Sequence, residues 1–203
     1  MMRLLVATTN LSKFEEAVSS LRDAYLEIVG LNYFMNITIV SETGETFEEN
    51  AILKAKGYFD QTRVPTIADD GGLVVDVLGG APGVHSNRWL GYDATAEELA
   101  EAIIEKMKGV PREKRTARLG GTIVFWDGTH LLKRETWIYG YIAARVVGEV
   151  KPGFPYRPIL IIPEFEKPYS ELTEEEHEKV NFRRTNLRVL KPEIIKLLLK
   201  DSD

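Results

Sequence analysis

The stretch Ile67-Ala68-Asp69-Asp70-Gly71-Gly72-Leu73 constrains this chain more than any other. An apolar run delivers two adjacent carboxylates to a pair of glycines, and a second apolar strand, Leu73-Val74-Val75-Asp76-Val77, leaves directly. That strand runs into a glycine- and proline-rich loop from Gly79 to Arg88. Burying adjacent acids at the end of a strand is costly unless they hold a cation or do proton chemistry. Asp-Asp-Gly-Gly is equally a plain hairpin turn. The choice between turn and site rests on what else the chain brings to this point.

At 203 residues the chain is long enough to bury one substantial core, and no low-complexity tract or fixed-period repeat divides it. It has no cysteine, which excludes disulfides, thiolate metal sites and a catalytic thiol, and suits a reducing compartment. The apolar run at the N-terminus, Met1 to Ala7, is too short for a signal peptide. No apolar segment approaches the ~20 residues of a membrane span. A cytoplasmic protein without membrane contact is expected. A formal charge of −5 argues against a general polyanion binder, and no nucleic-acid-binding motif is present, so no nucleic acid partner is expected. A small phosphorylated ligand needs only a few local cations. His85, His130 and His177 are far apart in sequence and read as surface or loop residues.

Arg3 to Ala7 reads as a buried strand, followed by a helix capped by Asn10 or Ser12 with Phe14, Ala17, Val18 and Leu21 at helical spacing. Leu26 to Leu31 reads as a strand, Ile37 to Val40 as a short extended piece. Thr46 with Glu49, and Thr95 with Glu98, form capping boxes that open two helices, and Thr173 caps a third. Thr116 to Trp126 and Leu131 to Val147 are β-rich runs joined by Asp127-Gly128, a hairpin signal. Ile159 to Ile162 is a short strand, and the C-terminal segment to Lys200 is a helix broken at Pro192. Helices alternating with strands early, and a hairpin in the middle, predict an α/β protein with a mixed sheet. It reads as one domain, residues 1–203, with two lobes. One is roughly 1–111 plus the C-terminal helix, the other roughly 112–180.

Three segments carry chemistry. Thr8-Thr9-Asn10-Leu11-Ser12-Lys13 is a strand–loop–helix junction where free N–H groups and the helix dipole favour an anion. Lys13 opposes that dipole unless an anion compensates it; an ordinary capped helix would otherwise look the same. In the second segment, Glu42-Thr43-Gly44 precedes a helix on which Asn50 and Lys54 share a face. A salt-bridged surface helix has the same pattern. The third is Asp69-Asp70. Together they suit a magnesium ion and a polyphosphate, because Mg²⁺ binds through one or two carboxylates plus phosphate oxygens.

These residues resemble the Ham1-type inosine triphosphate pyrophosphatase family. The resemblance runs through Val6-Ala7-Thr8-Thr9-Asn10, Lys13, Glu42-Thr43-Gly44, Thr46 to Ala55, Ile67 to Leu73, Asp76 to Gly83 and Ser86. It covers essentially the whole chain and is strong over the first ~90 residues, within one domain's length. It implies an elongated mixed β-sheet flanked by helices, two lobes with a central cleft, and a homodimer. It implies Mg²⁺-dependent hydrolysis of non-canonical purine nucleoside triphosphates to the monophosphate and pyrophosphate. By resemblance Asp70 is the proton acceptor and sits at the metal with Glu42 and Asp69. Thr8, Thr9, Asn10, Lys13, Lys54 and Gly71 attend the phosphates, and Phe154, Tyr156, Lys167 and Arg183 complete the substrate site.

The second half departs from the family pattern. Phe-Gly-Tyr/Trp-Asp-Pro is Phe154-Pro155-Tyr156-Arg157-Pro158 here, so an acid has become Arg157. Ser-His-Arg-Gly is Asn181-Phe182-Arg183-Arg184, and the serine after the two aspartates is Gly71. Ser41 stands where many members carry a glutamate, next to Glu42. Changed polar partners shift base choice by orders of magnitude. The expectation is retained pyrophosphate release with altered base specificity; a nucleotide sensor without catalysis, or a phosphatase acting on another small molecule, are the rivals.

Overall fold

The computed structural model describes residues 2–86 and 89–200, so the end of the glycine-rich loop, Asn87 and Arg88, lies outside the described residues. The described residues form seven strands in one sheet, β2-β1-β3-β4-β5-β6-β7, with five α-helices. The strands are β1 (Met2–Val6), β2 (Leu26–Gly30), β3 (Thr66–Val75), β4 (Thr116–Trp126), β5 (Leu131–Ile142), β6 (Leu160–Ile162) and β7 (Lys167–Pro168). β1 runs parallel to β2 and to β3, with Val6 opposite Gly30 on one side and Ile67 on the other. β5 and β6, and β6 and β7, are antiparallel. The sheet is mixed, as the order of elements in the chain requires: βαβ crossovers early, a hairpin later.

The helices are α1 (Leu11–Leu21), α2 (Phe47–Thr62), α3 (Ala96–Lys106), α4 (Glu174–Val180) and α5 (Phe182–Lys200). Two compact units result. One comprises Met1–Asp70, Gly121–Thr136 and Phe182–Asp203, the other Gly71–Gly120 and Trp137–Asn181. In the first, strand residues alternate between two apolar layers. Leu4, Val6, Ile67, Ile123 and Phe125 pack with Ala17 and Leu21 of α1 and with Leu187, Leu190, Ile194 and Leu198 of α5. Leu5, Ala7, Ala68 and Val124 pack with Ala51, Ala55 and Tyr58 of α2 on the opposite face. In the second unit the buried set includes Leu99 and Ile103 of α3, Ile138 and Ile142 of β5, and Leu160 and Ile162 of β6.

The largest departure from the sequence reading falls on the diagnostic stretch. Asp69-Asp70-Gly71-Gly72 is neither a turn nor the end of a strand but the middle of the ten-residue strand β3. The glycines are paired in the sheet, so the expected second strand is the continuation of the first. Three smaller corrections share one cause, the dependence of extended structure on a distant partner. Ile37 to Val40 is outside the strands, β5 stops at Ile142 instead of Val147, and the two-residue strand β7 had no signal. The predicted break at Pro192 is also absent, since α5 runs through it.

Candidate active site

The alternation of β3 decides where the two aspartates point. Asp69 follows Ile67 in the row facing α1 and α5, and Asp70 follows Ala68 in the row facing α2. Adjacent in sequence, they enter different surroundings.

On Asp69's side, the chain leaves β1 through Thr8 and Thr9 into the cap of α1. The Thr8 hydroxyl accepts from the Asn10 N–H at 3.1 Å, and the Asn10 side-chain oxygen accepts from the Lys13 N–H at 3.2 Å. With its start fixed this way, and with no acidic residue in its first turn, α1 projects the Lys13 ammonium to 3.1 Å from Asp69 Oδ2. The Arg183 guanidinium, at the start of α5, donates to the same oxygen at 2.8 Å and to Glu16 Oε2 at 2.6 Å. Burial alone would raise the Asp69 carboxyl; the Arg183, Lys13 and Lys54 charges outweigh it and hold Asp69 far below the usual carboxylate range. Burial, with repulsion from Arg183 and Lys54, pulls Lys13 below the ordinary lysine value despite Asp69's opposing attraction.

Asp70's side is built on α2. The Thr46 hydroxyl accepts from the Glu49 N–H at 3.1 Å while the Glu49 carboxylate takes the Glu45 and Thr46 N–H groups at 2.7 and 3.3 Å, a complete capping box. Asn50, one residue on, accepts from the Gly44 N–H at 2.8 Å. A side chain at Gly44 would meet Glu49 Cβ at 2.6 Å, so only glycine lets the Glu42-Thr43-Gly44 segment lie this close to the helix. That approach sets Glu42 against Lys54. The Lys54 ammonium lies 3.0 Å from Glu42 Oε1 and 3.3 Å from Asp70 Oδ1. Burial lowers the Lys54 pKa, but attraction to Asp70, Asp69 and Glu42 wins and leaves it raised. Asp70 is raised too, first by burial and then by Glu42, against the pull of Lys54, Lys13 and the Asn50 side chain. Its second oxygen, Oδ2, is buried without a hydrogen-bond partner among the described residues.

Thus Thr8, Asn10, Lys13, Glu42, Lys54, Asp69, Asp70 and Arg183 all belong to the first unit, and Thr9 is an exposed residue in the same loop. Gly71, Phe154, Tyr156 and Lys167 belong to the second. Arg183, expected to touch substrate, is 3% exposed, with both terminal nitrogens in ion pairs. Asp69, expected at a metal, receives two cations on one oxygen. In the second unit the Lys167 ammonium is held by Glu176 at 2.8 Å. Tyr156 is buried, its hydroxyl donating to the Ser86 carbonyl at 3.4 Å and pushed up to about 12 by burial. Phe154 and Arg157 line a cavity of about 290 Å³ together with Lys151, Ser170 and His177, and the Arg157 guanidinium carbon stands 3.5 Å from the centre of the Phe154 ring. Glu16 was not anticipated. Its signal was present: it is a charged residue beside Ala17, three positions after Lys13, on a helix whose buried residues are Glu16, Ala17 and Leu21.

The model of the Ham1 family matches residues 4–193 of this chain. The chain belongs to the Ham1 family. The dITP/XTP pyrophosphatase of Escherichia coli K12 is 40% identical over 194 residues, which are 94% of this chain and 96% of that protein. The dITP/XTP pyrophosphatase of Photobacterium profundum is 42% identical over 168 residues, 81% of this chain and 83% of its own. Among solved structures, a HAM1 protein from Coxiella burnetii superposes with a TM-score of 0.83 at 32% identity, covering 97% of this chain and 100% of that one. The Ham1 protein of Staphylococcus aureus gives 0.82 at 28% identity, covering 96% and 98%. The α/β fold with its mixed seven-stranded sheet is therefore the Ham1 fold. Among the described residues no helix is long and apolar enough to cross a membrane.

Proposed function

We propose that this chain is a Mg²⁺-dependent nucleoside triphosphate pyrophosphatase, cleaving non-canonical purine triphosphates such as ITP, dITP and XTP to the monophosphate and pyrophosphate. The observation that carries the reading is Asp70: a buried carboxylate raised above its ordinary value, with one oxygen on Lys54 and the other without a partner. Such a group accepts a proton at neutral pH better than an ordinary aspartate. Its relatives' names, and the hydrolysis of a triphosphate anhydride they denote, supply the substrate class.

The residues present fit a divalent cation. Lys54 faces two carboxylates, Glu42 and Asp70, and the open Asp70 oxygen is a hard ligand. Among the described residues no three His, Cys, Asp or Glu converge on a metal geometry, so substrate phosphates would complete the shell. Glu42 and Asp70 would hold the ion, which when bound supplies positive charge for the water and the phosphates. Asp70 takes the proton of the water that attacks the α-phosphorus. Lys13, at the start of α1, and Lys54 offset the charge gathering on the departing pyrophosphate. Thr8, Thr9, Asn10 and Gly71 frame the phosphate path by resemblance, and a homodimer in the cytoplasm belongs to the same reading. Arg157 and Phe182, in place of an acid and a histidine, give it a base preference shifted from that of its relatives.

The test is pyrophosphate release across a nucleotide panel, with Mg²⁺ and with chelator, for the wild type and Asp70→Asn. Asp70→Asn is expected to lose about 10²–10⁴-fold in kcat while still melting cooperatively as a folded protein. Survival of activity would remove Asp70 as the base. Tight binding without release by the wild type would make the protein a sensor, and inosine and xanthine triphosphates far ahead of all others would defeat the shifted preference.

A further inference from the structure

Within β4 the run Gly121-Thr122-Ile123-Val124-Phe125 is apolar except for one hydroxyl. Thr122 is fully buried, and its Oγ1 has no hydrogen-bond partner among the described residues. Valine has nearly the same shape without the polar atom, so packing alone gives no reason for the hydroxyl. A buried hydroxyl left unpaired is a cost, which native proteins meet with a protein group or an enclosed water.

The direction of the side chain follows from its neighbours. Val124 packs with Ala68, Ala51 and Ala55 in the layer facing α2, and alternation puts Thr122, two residues earlier, in the same row. β3 and β4 are adjacent in the sheet. Ala68 and Val124 share that layer, and just past the end of β3 the Asp76 carboxylate accepts from the Thr116 hydroxyl at 2.6 Å, so the two strands run antiparallel. Two residues on from Ala68 along β3, and two back from Val124 along β4, stand Asp70 and Thr122. They are cross-strand neighbours on one face, and both belong to the first unit.

Asp70 is anchored on one side only. Lys54 lies 3.3 Å from Oδ1, and the Asn50 side chain also hydrogen-bonds the carboxyl, whereas Oδ2 is buried without a partner among the described residues. A donor and an acceptor on adjacent strands thus each lack a protein partner, and they make no direct hydrogen bond to each other. One water between them satisfies both. The geometry points to Thr122 as a positioning residue that holds Asp70 Oδ2 through one enclosed water. This rests on the reading of Asp70 as the base. Held at both oxygens, the carboxylate cannot turn about its Cβ–Cγ bond, so it meets the attacking water at a fixed angle. Thr122 is the more deeply buried of the two, and a carboxylate oxygen has two lone pairs, so a donor from the core side leaves the other lone pair of Oδ2 open.

Two substitutions in the full-length protein separate this role from a structural one. Thr122→Val removes the hydroxyl and keeps the shape; Thr122→Ser keeps the hydroxyl and loses a methyl. Thr122→Val is expected to lower kcat for a triphosphate about 10–100-fold, with KM changed less than about twofold. Thr122→Ser is expected to hold kcat within about threefold of wild type, because the donor remains, while melting below the valine variant. A structural role gives the opposite order, with a valine variant as fast as wild type and activity that follows melting temperature. In an Asp70→Asn background Thr122→Val should cost less than about twofold, since the group it holds no longer accepts a proton. A high-resolution crystal structure of the wild type should show one water within hydrogen-bond distance of Thr122 Oγ1 and Asp70 Oδ2, and Thr122→Val should lose it. If Thr122→Val does not fold, Thr122→Ala serves as the variant without a hydroxyl. Unchanged kcat without the hydroxyl, a serine variant as slow as the valine one, or no water between the two atoms overturns the proposal. If the wild type cleaves no nucleotide, the triphosphate reading fails, and the crystallographic water still decides whether Thr122 holds Asp70.

Discussion

Asp69 and Asp70 differ by one position and by the direction of their pKa shifts. Burial raises both; what separates them is the company that β-strand alternation assigns. Asp69 meets two cations and falls well below the carboxylate range, whereas Asp70 shares one lysine with Glu42 and is raised. Asp127 shows the same competition away from the site. Burial raises it, but the His130 and Thr129 N–H groups, at 2.6 and 2.8 Å, and the His130 side chain lower it overall. A depressed carboxyl contributes stability that is fully present above the unfolded aspartate value of ~3.9 and is lost as pH falls through the folded value. Asp127→Asn is therefore expected to cost about 1–2 kcal/mol at pH 7, and the gap to wild type should narrow progressively as the pH falls below the unfolded aspartate value. Urea melts at a series of pH values would show it; a gap independent of pH would mean that the charge of Asp127 contributes nothing. Composition and spacing named both Asp69 and Asp70 but did not separate them, because placing them at the end of a strand concealed that they face opposite sides of a continuous one.

Local chemistry made the helices legible. The boxes Thr46/Glu49, Thr95/Glu98 and Thr173/Glu176 all form, and Asn10 caps α1, because a cap is settled within four residues. Asp127-Gly128 marked the hairpin for the same reason, although the connection is four residues long, with Gly128 at φ +100°. Where a partner far along the chain decides, the sequence misled. Ile37 to Val40 has strand composition and no strand neighbour, and Pro192 has breaker chemistry inside an unbroken helix. α5 buries Leu187 and Leu190 before Pro192 and Ile194 and Leu198 after it, and packing on both sides overrides the local penalty. That penalty persists as a cost, since proline has no N–H for the carbonyl four residues back. Pro192 is exposed, so Pro192→Ala should stabilise the protein by about 1–2 kcal/mol, read as a raised urea midpoint with unchanged slope. A lower midpoint would mean that the rigidity of proline in the unfolded chain outweighs the restored hydrogen bond.

At the scale of the molecule, chain order and unit membership part company. The first unit is drawn from three separate segments, and β3, β4 and β5 each begin in one unit and continue in the other. Alternating helices and strands announced an α/β fold, but nothing local marks Gly121 or Phe182 as a return to the first unit; only the contacts made after folding do so. This discontinuity has a consequence for the last element. α5 contributes Leu187, Leu190, Ile194 and Leu198 to the apolar layer that also contains Leu4, Val6 and Ile67, and Arg183 to ion pairs with Asp69 and Glu16. Burying an aliphatic side chain is worth about 1.5–3 kcal/mol, so these four together rival the roughly 5–15 kcal/mol that holds a whole domain. Their loss would also leave Asp69 and Glu16 without Arg183 in an apolar setting, which costs several kcal/mol more. A chain ending at Asn181 is thus expected to lose its cooperative thermal transition and expose its core to a hydrophobic dye, although residues 1–70 are intact in sequence. If that truncation instead melted cooperatively near the wild-type temperature, β1, β3 and α1 would form a stable layer without α5, and the C-terminal helix would be an accessory to the core.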